Sequence, residues 1–431
     1  MAASPGSPAQ RASFGSIPRV VRNLILLSIP ISIASGFFGI YVSVFLLDLG
    51  VDAQTVGLVL AVNGATMVLS AIPLGILSDR RGRKAMLVLG AFLFSPMLVI
   101  LALSAETVWL IVVGILAGLS EAAFLSTWNA MIADGTPAKA RNAAFSLSFI
   151  VGTTTSGIGY ALPFVFPAIG GWTGQSIAAL HHDTLLLFAA GSLISPLGLI
   201  FLLRGYKEHP HPAAPAGPRL SVRERMRRLR ARVTQLRLLL AFSGVNGLIG
   251  LGAGFIIPLI GTWFRLRFGI PDAYSGPLLA VANLTMGLAG VTSARLASRL
   301  GAVRSVFLVQ GLSTLFMFSL AFAGDPVLAG VLYVVRAALM NMASPIMDAY
   351  LMGLVGPEER GFASALNSIV WRMPNSASTV GGGYLLARGQ YELPFLIAGG
   401  LYAAGVSLFY GIFRAIPSKD EIGGAEPGIA P

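Results

Sequence analysis

The chain has 431 residues, 55% hydrophobic and 11% charged, with a formal net charge of +12. A soluble domain holds about 25% charged residues, so a mean hydropathy of +0.77 excludes a water-facing globule and makes lipid the main solvent. Cysteine is absent, which excludes disulfides and thiolate metal sites and leaves the redox compartment open.

A bilayer-spanning helix takes about 20 apolar residues at 1.5 Å rise each. On that measure twelve segments follow one another: 23–48, 54–78, 84–103, 107–133, 141–168 and 184–204, then 236–264, 272–296, 303–323, 326–354, 361–387 and 391–414. The runs are long and do not alternate, which argues against strands, since a spanning sheet must close into a barrel. The first run is read as a retained span rather than a cleavable signal peptide, because it is too long and another span follows at once. The expected fold class is an all-α polytopic membrane protein.

Lys and Arg set the orientation. With the N-terminus in the cytoplasm, 25 of the 30 fall on the inner side, Arg265, Arg267 and Arg388 fall outside, and Arg336 and Arg372 lie within spans. The pI near 10.4 is therefore a topology signal, and no nucleic-acid partner is implied. Both termini are expected in the cytoplasm, with tails at 1–22 and 415–431 flanking six-span units at 23–204 and 236–414. The linker at 205–235 opens with "HPHPAAPAGP" and continues as "RLSVRERMRRLRARVTQL". Its helical spacing and dense basic face suit a surface helix held by anionic lipid. The four histidines, His181 and His182 in the outer loop and His209 and His211 in the linker, are read as solvated.

The two halves are a faint repeat. A shift of 219 residues brings Leu77 onto Leu296, Arg80 onto Arg299, Gly82 onto Gly301 and Arg141 onto Arg360, while Asp79 becomes Ser298. Many transporters build a midplane site from such repeats.

The loop "GILSDRRGRKAML", 75–87, resembles the signature between helices 2 and 3 of the major facilitator superfamily, G-x-L-A-D-R-x-G-R-K-x-x-L, and departs from it only by Ser78. The lead-in "FLLDLGVDAQTVGLVLAV" also looks like the family's first outer loop, and the resemblance spans residues 20 to 414. It implies twelve helices in two pseudo-symmetric six-helix bundles that rock against each other. It also implies a cytoplasmic gate of Gly75, Asp79, Arg80, Gly82, Arg83 and Lys84. Asp79 would meet the positive end of helix 11 near Gly361, Arg83 would bridge Asp79 to Asp134, and Gly75 and Gly82 would allow close backbone approach. Exposed pairs are worth about 0–1 kcal/mol and helix-end contacts up to about 2 kcal/mol, the scale of a breakable two-state latch. The alternative is a topology anchor with no switching role.

Ionisable groups inside spans cost roughly 2.5–3.5 kcal/mol on insertion scales and mark cavities by default. Glu121 lies near the middle of helix 4 in "GLSEAAFLSTW", and Arg372 near the middle of helix 11 in "SIVWRMPNS". Arg336 lies in the outer part of helix 10, where its stem is long enough to snorkel outward, and Asp348 lies nearer the inner end, as part of a gate. Helices 4 and 10 line the cavity in the family. Glu121 is the expected substrate or proton group, with pairing to Arg372 as a structural interlock the alternative. Trp128, Asn129, Asn246, Asn341 and Asn367 are expected to shape the pocket, or else to pack and bond helices.

The reading that follows is a secondary active transporter working by alternating access, not an enzyme. It has no cofactor and draws on a proton or other ion gradient. Its expected partners are a small-molecule substrate and the plasma-membrane bilayer, and it is expected to be a monomer. Apolar cavity walls favour proton-coupled efflux of amphipathic, drug-like compounds. Against that, helix 5 reads "SFIVGTTTSGIGYALPF" without the exporters' G-P-x-x-G-G ending, and Gly114 falls where the family has an Arg. Uptake of a small polar nutrient is the alternative, and a non-transporting sensor a third reading.

A cysteine placed at Ala213 is unique in this cysteine-free chain. It should resist impermeant maleimide in intact cells and react after permeabilisation; labelling in intact cells would reverse the orientation.

Overall fold

The computed structural model describes residues 14–205, 236–356 and 359–416. The first half comprises α1 (Arg19–Asp48), α2 (Ala53–Arg81), α3 (Arg83–Leu103), α4 (Thr107–Gly135), α5 (Ala138–Ala161) and α6 (Ile177–Leu202). The second comprises α7 (Leu236–Gly254), α8 (Asp272–Leu300), α9 (Ala302–Ala321), α10 (Pro326–Leu354), α11 (Arg360–Ala387) and α12 (Leu393–Phe413). Among the described residues, ten helices are long and apolar enough to cross a membrane. The other two, α8 and α11, carry much of the contact between the halves, so less of their surface needs to suit lipid. The linker and the C-terminal tail from residue 417 lie outside the described residues.

Helix starts follow local chemistry. Asp52 caps α2, accepting from the Thr55 N–H at 2.9 Å, Ser176 caps α6 through Ala179 at 3.1 Å, and Asp325 caps α10 through Leu328 at 2.7 Å. Each satisfies a donor that would otherwise be orphaned at the first turn. Ser176 places the start of α6 at Ile177, before the expected 184, and draws His181 and His182 into the helix. The tight turn between α2 and α3 needs Gly82 at φ 96°, and its repeat mate Gly301 turns α8 into α9 at φ 79°, a backbone region open mainly to glycine.

The seventh span is not one helix. It breaks after Gly254 and resumes as a short helix, Ile260–Phe268, while α1 loosens into a wider turn at the matching place, Tyr41–Phe45. These irregular segments meet on the axis relating the halves. The Thr262 hydroxyl donates to the Ser43 carbonyl at 2.6 Å, and the two residues stand 219 apart in the chain.

The same offset relates the close contacts between bundles. A methyl group on Gly57 would fall 2.8 Å from the Thr379 carbonyl of α11, and one on Gly276 of α8 would collide with the Tyr160 carbonyl of α5. Gly57 and Gly276 are repeat mates, as are Tyr160 and Thr379. Small residues let backbones approach where lipid offers no hydrophobic drive for helices to associate. Along α5 the contact loosens inward: Gly157 meets Ala280 only at 3.7 Å, and Gly152 faces open space. The halves are thus joined at their outer ends, those of loops 49–52, 174–176 and 269–271, and diverge toward the inner ends.

Gly276→Ala should force this contact apart. Overpacking costs about 1–3 kcal/mol, which shifts the outer-closed population roughly 5- to 150-fold toward the open form; distances between spin labels on the outer ends read the shift.

Candidate functional site

On α4, Glu121, Leu125 and Asn129 recur every fourth residue on one face, and all three are exposed rather than packed. Just above them the same face packs on α2, where Gly118 abuts Asn63 and Thr66. Glu121 makes no hydrogen bond or ion pair among the described residues. Arg372 of the opposite half and Tyr160 of α5 are near enough to interact with its charge. The Arg372 guanidinium reaches the sulfur of Met67 on α2 at 3.6 Å. A carboxylate and a guanidinium from different halves therefore share one central space without contact pairing.

The second half contributes a tyrosine–arginine cluster. Arg336 is 4% exposed, donates to the Tyr402 hydroxyl at 2.7 Å and lies 5.4 Å from that ring. Its Nε finds no partner among the described residues. It does not snorkel outward, because Tyr402 of α12 offers both an oxygen and a ring face inside the bundle. Tyr333, one turn away, interacts with Arg336, Tyr402 and Tyr160. The sequence reading missed these tyrosines; their only signal was polar hydroxyls within apolar spans.

The other candidates separate. The Trp128 indole donates to Ser148 at 2.8 Å and stacks on Phe124 at 4.7 Å, so it packs within the first half, beside a small apolar pocket shared with Leu24 and Ser195 and apart from Glu121. Asn246 of α7 donates to Asn367 of α11 at 2.9 Å, fastening two helices of the second half. Asn341 donates to Ala337 of its own helix at 2.8 Å. Asp348 is exposed toward the inner end of α10.

In the signature loop, Arg83 and Asp134 form an ion pair between α3 and α4. Arg80 is exposed, Lys84 is half-buried, and the Asp79 side chain lies outside the described residues. Gly75 does not serve close approach: it faces open space, as does Gly361 at the start of α11, because the inner ends stand apart. Gly82 serves the turn instead.

The two histidines of α6 differ from the solvated pair expected there. His181 is fully buried and bonded to Asp272 of α8 at 2.5 Å, while His182 stays exposed. A second outer tie joins Arg265 to Asp48 at 2.6 Å.

The description of the Major Facilitator Superfamily matches residues 24–378 and, in an overlapping match, 244–429. The chain belongs to this superfamily. As a superfamily transporter it moves small molecules across a membrane it spans many times. It is 24% identical over 373 residues to Multidrug resistance protein 1 of Bacillus subtilis (strain 168), covering 84% of this chain and 88% of that one. It is 31% identical over 157 residues to the probable sulfoacetate transporter SauU of Cupriavidus necator, covering 34% and 36%. In fold the transporter resembles the nucleoside transporter NupG, with a TM-score of 0.73 at 16% identity over 92% of this chain and 100% of that one. It also resembles a D-xylose–proton symporter, with a TM-score of 0.68 at 15% identity over 90% and 97%.

Trp128→Phe removes one hydrogen bond inside the first half, worth about 0.5–1.5 kcal/mol. It should lower the melting temperature slightly and leave ligand affinity unchanged; altered substrate selectivity would return Trp128 to the pocket.

Proposed function

We propose that this transporter exports amphipathic compounds in exchange for protons, with Glu121 as the proton carrier. The carrying observation is the Glu121 carboxylate, exposed to the central space and unpaired among the described residues, with Arg372 acting on it from the other half. A carboxyl near a cation and open to water favours its ionised form; withdrawal into an apolar surround favours the proton. Rocking the halves moves Arg372 relative to Glu121, so each state sets a different proton affinity. Substrate and proton then compete for the same space, which is the logic of exchange.

Amphipathic cargo suits walls that offer Leu125 and the half-buried Tyr160 beside few charges. The likeness to a multidrug resistance protein along most of both chains supports export. The divergence of the inner ends suits loading from the cytoplasmic side of a plasma membrane, with both termini inside and the basic linker against anionic lipid. The Asp79 loop would latch the inner ends in the opposite state, as a monomer needs. Uptake of a polar nutrient is the competing reading, and flux direction in vesicles separates them.

Glu121→Gln keeps shape and removes the titration. Substrate binding should persist while gradient-driven extrusion falls to background and its pH dependence flattens, measured in inside-out vesicles with an imposed proton gradient. Loss of binding for cations but not neutral compounds would instead make Glu121 a substrate contact, and unchanged proton-driven flux would exclude both roles.

A further inference from the structure

The seam between α2 and α11 carries a groove on its lipid side. On α11, Thr379 and Gly383 meet α2, while Asn375 and Gly382 meet the seventh span. Tyr384, Ala387 and Arg388 fall on the remaining face and are exposed. On α2, Gly57 meets α11, and Asn63 and Thr66 meet α4. Gln54, Leu69, Ile72 and Ile76 share the face left over and are likewise exposed. At the outer end a cavity of about 530 Å³ opens between these two faces. It is lined in part by Asp52, Gln54, Leu58 and Thr107 of the first half and Val380 and Arg388 of the second.

The two walls carry opposite charges that do not meet. The Asp52 carboxylate accepts from the Thr55 N–H and from its hydroxyl, both at 2.9 Å. A carboxylate has about four lone-pair sites, so it has room for further donors. The Arg388 guanidinium lies over the Tyr384 ring, 4.3 Å from its centroid. Neither Asp52 nor Arg388 makes an ion pair among the described residues. The groove therefore sets an acceptor on one half and a donor on the other, with open space between them.

We infer that this groove binds the headgroup of an outer-leaflet phospholipid that joins a phosphate to a primary ammonium, with the phosphate on Arg388 and the ammonium on Asp52. A guanidinium matches phosphate geometry through several N–H donors, and a primary ammonium brings three donors to a carboxylate. A quaternary ammonium donates none, and a headgroup with a phosphate but no cation is repelled by Asp52. The exposed stripes leading inward from the groove, Leu69, Ile72 and Ile76 on α2 and Met373 and Tyr384 on α11, suit the acyl chains. A soluble zwitterion gains nothing from those stripes, which is what selects a lipid.

The walls belong to different halves, so the complete site exists only while the outer ends stand together. A ligand that one state binds and the other does not shifts the balance toward the first. The lipid is thus a clasp on the outer seam, beside the close contact of Gly57 with Thr379. It favours the outer-closed form whichever way substrate moves, so it does not depend on the direction of transport.

The test uses the full chain in nanodiscs of phosphatidylcholine, with part of that lipid replaced by phosphatidylethanolamine or by phosphatidylglycerol. Spin labels on cysteines at Trp172 and Phe322, exposed outer positions on opposite halves that do not line the groove, read the outer distance. The ethanolamine lipid should raise the closed-to-open ratio roughly fivefold or more, and the glycerol lipid should not. Asp52→Asn keeps the helix cap, since Asn caps as well as Asp, and removes the repelling charge. In that variant the glycerol lipid should become as effective as the ethanolamine lipid. Arg388→Gln should lose the response to both. A Glu121→Gln background should keep the parental response, so failure of Glu121 as carrier and failure of this site are read separately. A parent that responds alike to all three lipids, or an Arg388→Gln protein that keeps the ethanolamine response, makes the effect a bulk property of the bilayer and overturns the inference. A parent that responds as strongly to soluble glycerophosphoethanolamine makes the ligand a solute and overturns it as well.

Discussion

Hydrocarbon neither hydrogen-bonds a peptide group nor hydrates a charge, and the rest of the architecture depends on that. Backbone groups must pair within helices, and charged side chains must turn toward a cavity, a partner or the interface. Helices then have little apolar reason to associate, so close contact rests on small residues. At Gly57 and Gly276 the absence of a side chain lets one half lie against the carbonyls of the other. These contacts sit at the outer end. Any rocking of the halves must open or close this seam.

The repeat gives the seam its form. Ser43 and Thr262 meet on the axis, and the Gly57–Thr379 and Gly276–Tyr160 contacts are images of one another at the same 219-residue offset. Symmetry stops at the charges. Asp79 has Ser298 as its mate, and His181 has no histidine at the corresponding place in the second half. A symmetric scaffold with asymmetric charges can hold two end states of unequal energy, and those energies can answer to protons and substrate. The buried His181–Asp272 pair at the outer end and the open Glu121 carboxylate at the centre are two such asymmetries, one shielded in this state and one available.

The central space joins residues from α2, α4, α5 and α11, while the tyrosine–arginine cluster of α10 and α12 is buried within the second half. Glu121 and Arg372 act on each other without locking. A contact pair would tie the halves together, whereas a looser one lets the balance shift as they move. Arg336, by contrast, is held by Tyr402 within one bundle and moves with it.

The sequence by itself determined the class and the succession of helices. Apolar runs near 20 residues and the bias of Lys and Arg are one-dimensional signals that lipid reads directly. The signature loop named the family, and isolated charges in apolar runs pointed to Glu121 and Arg372. Only the tertiary structure decided which polar groups meet. His181 and Asp272 lie 91 positions apart and look like ordinary outer-loop residues until a cap at Ser176 lengthens α6 and the halves close on them. Trp128 and Arg336 looked like cavity groups, yet Ser148 and Tyr402 claim them from other helices. Spacing along one helix tells which face a side chain occupies, but which helix stands opposite that face is set by packing between segments far apart in the chain.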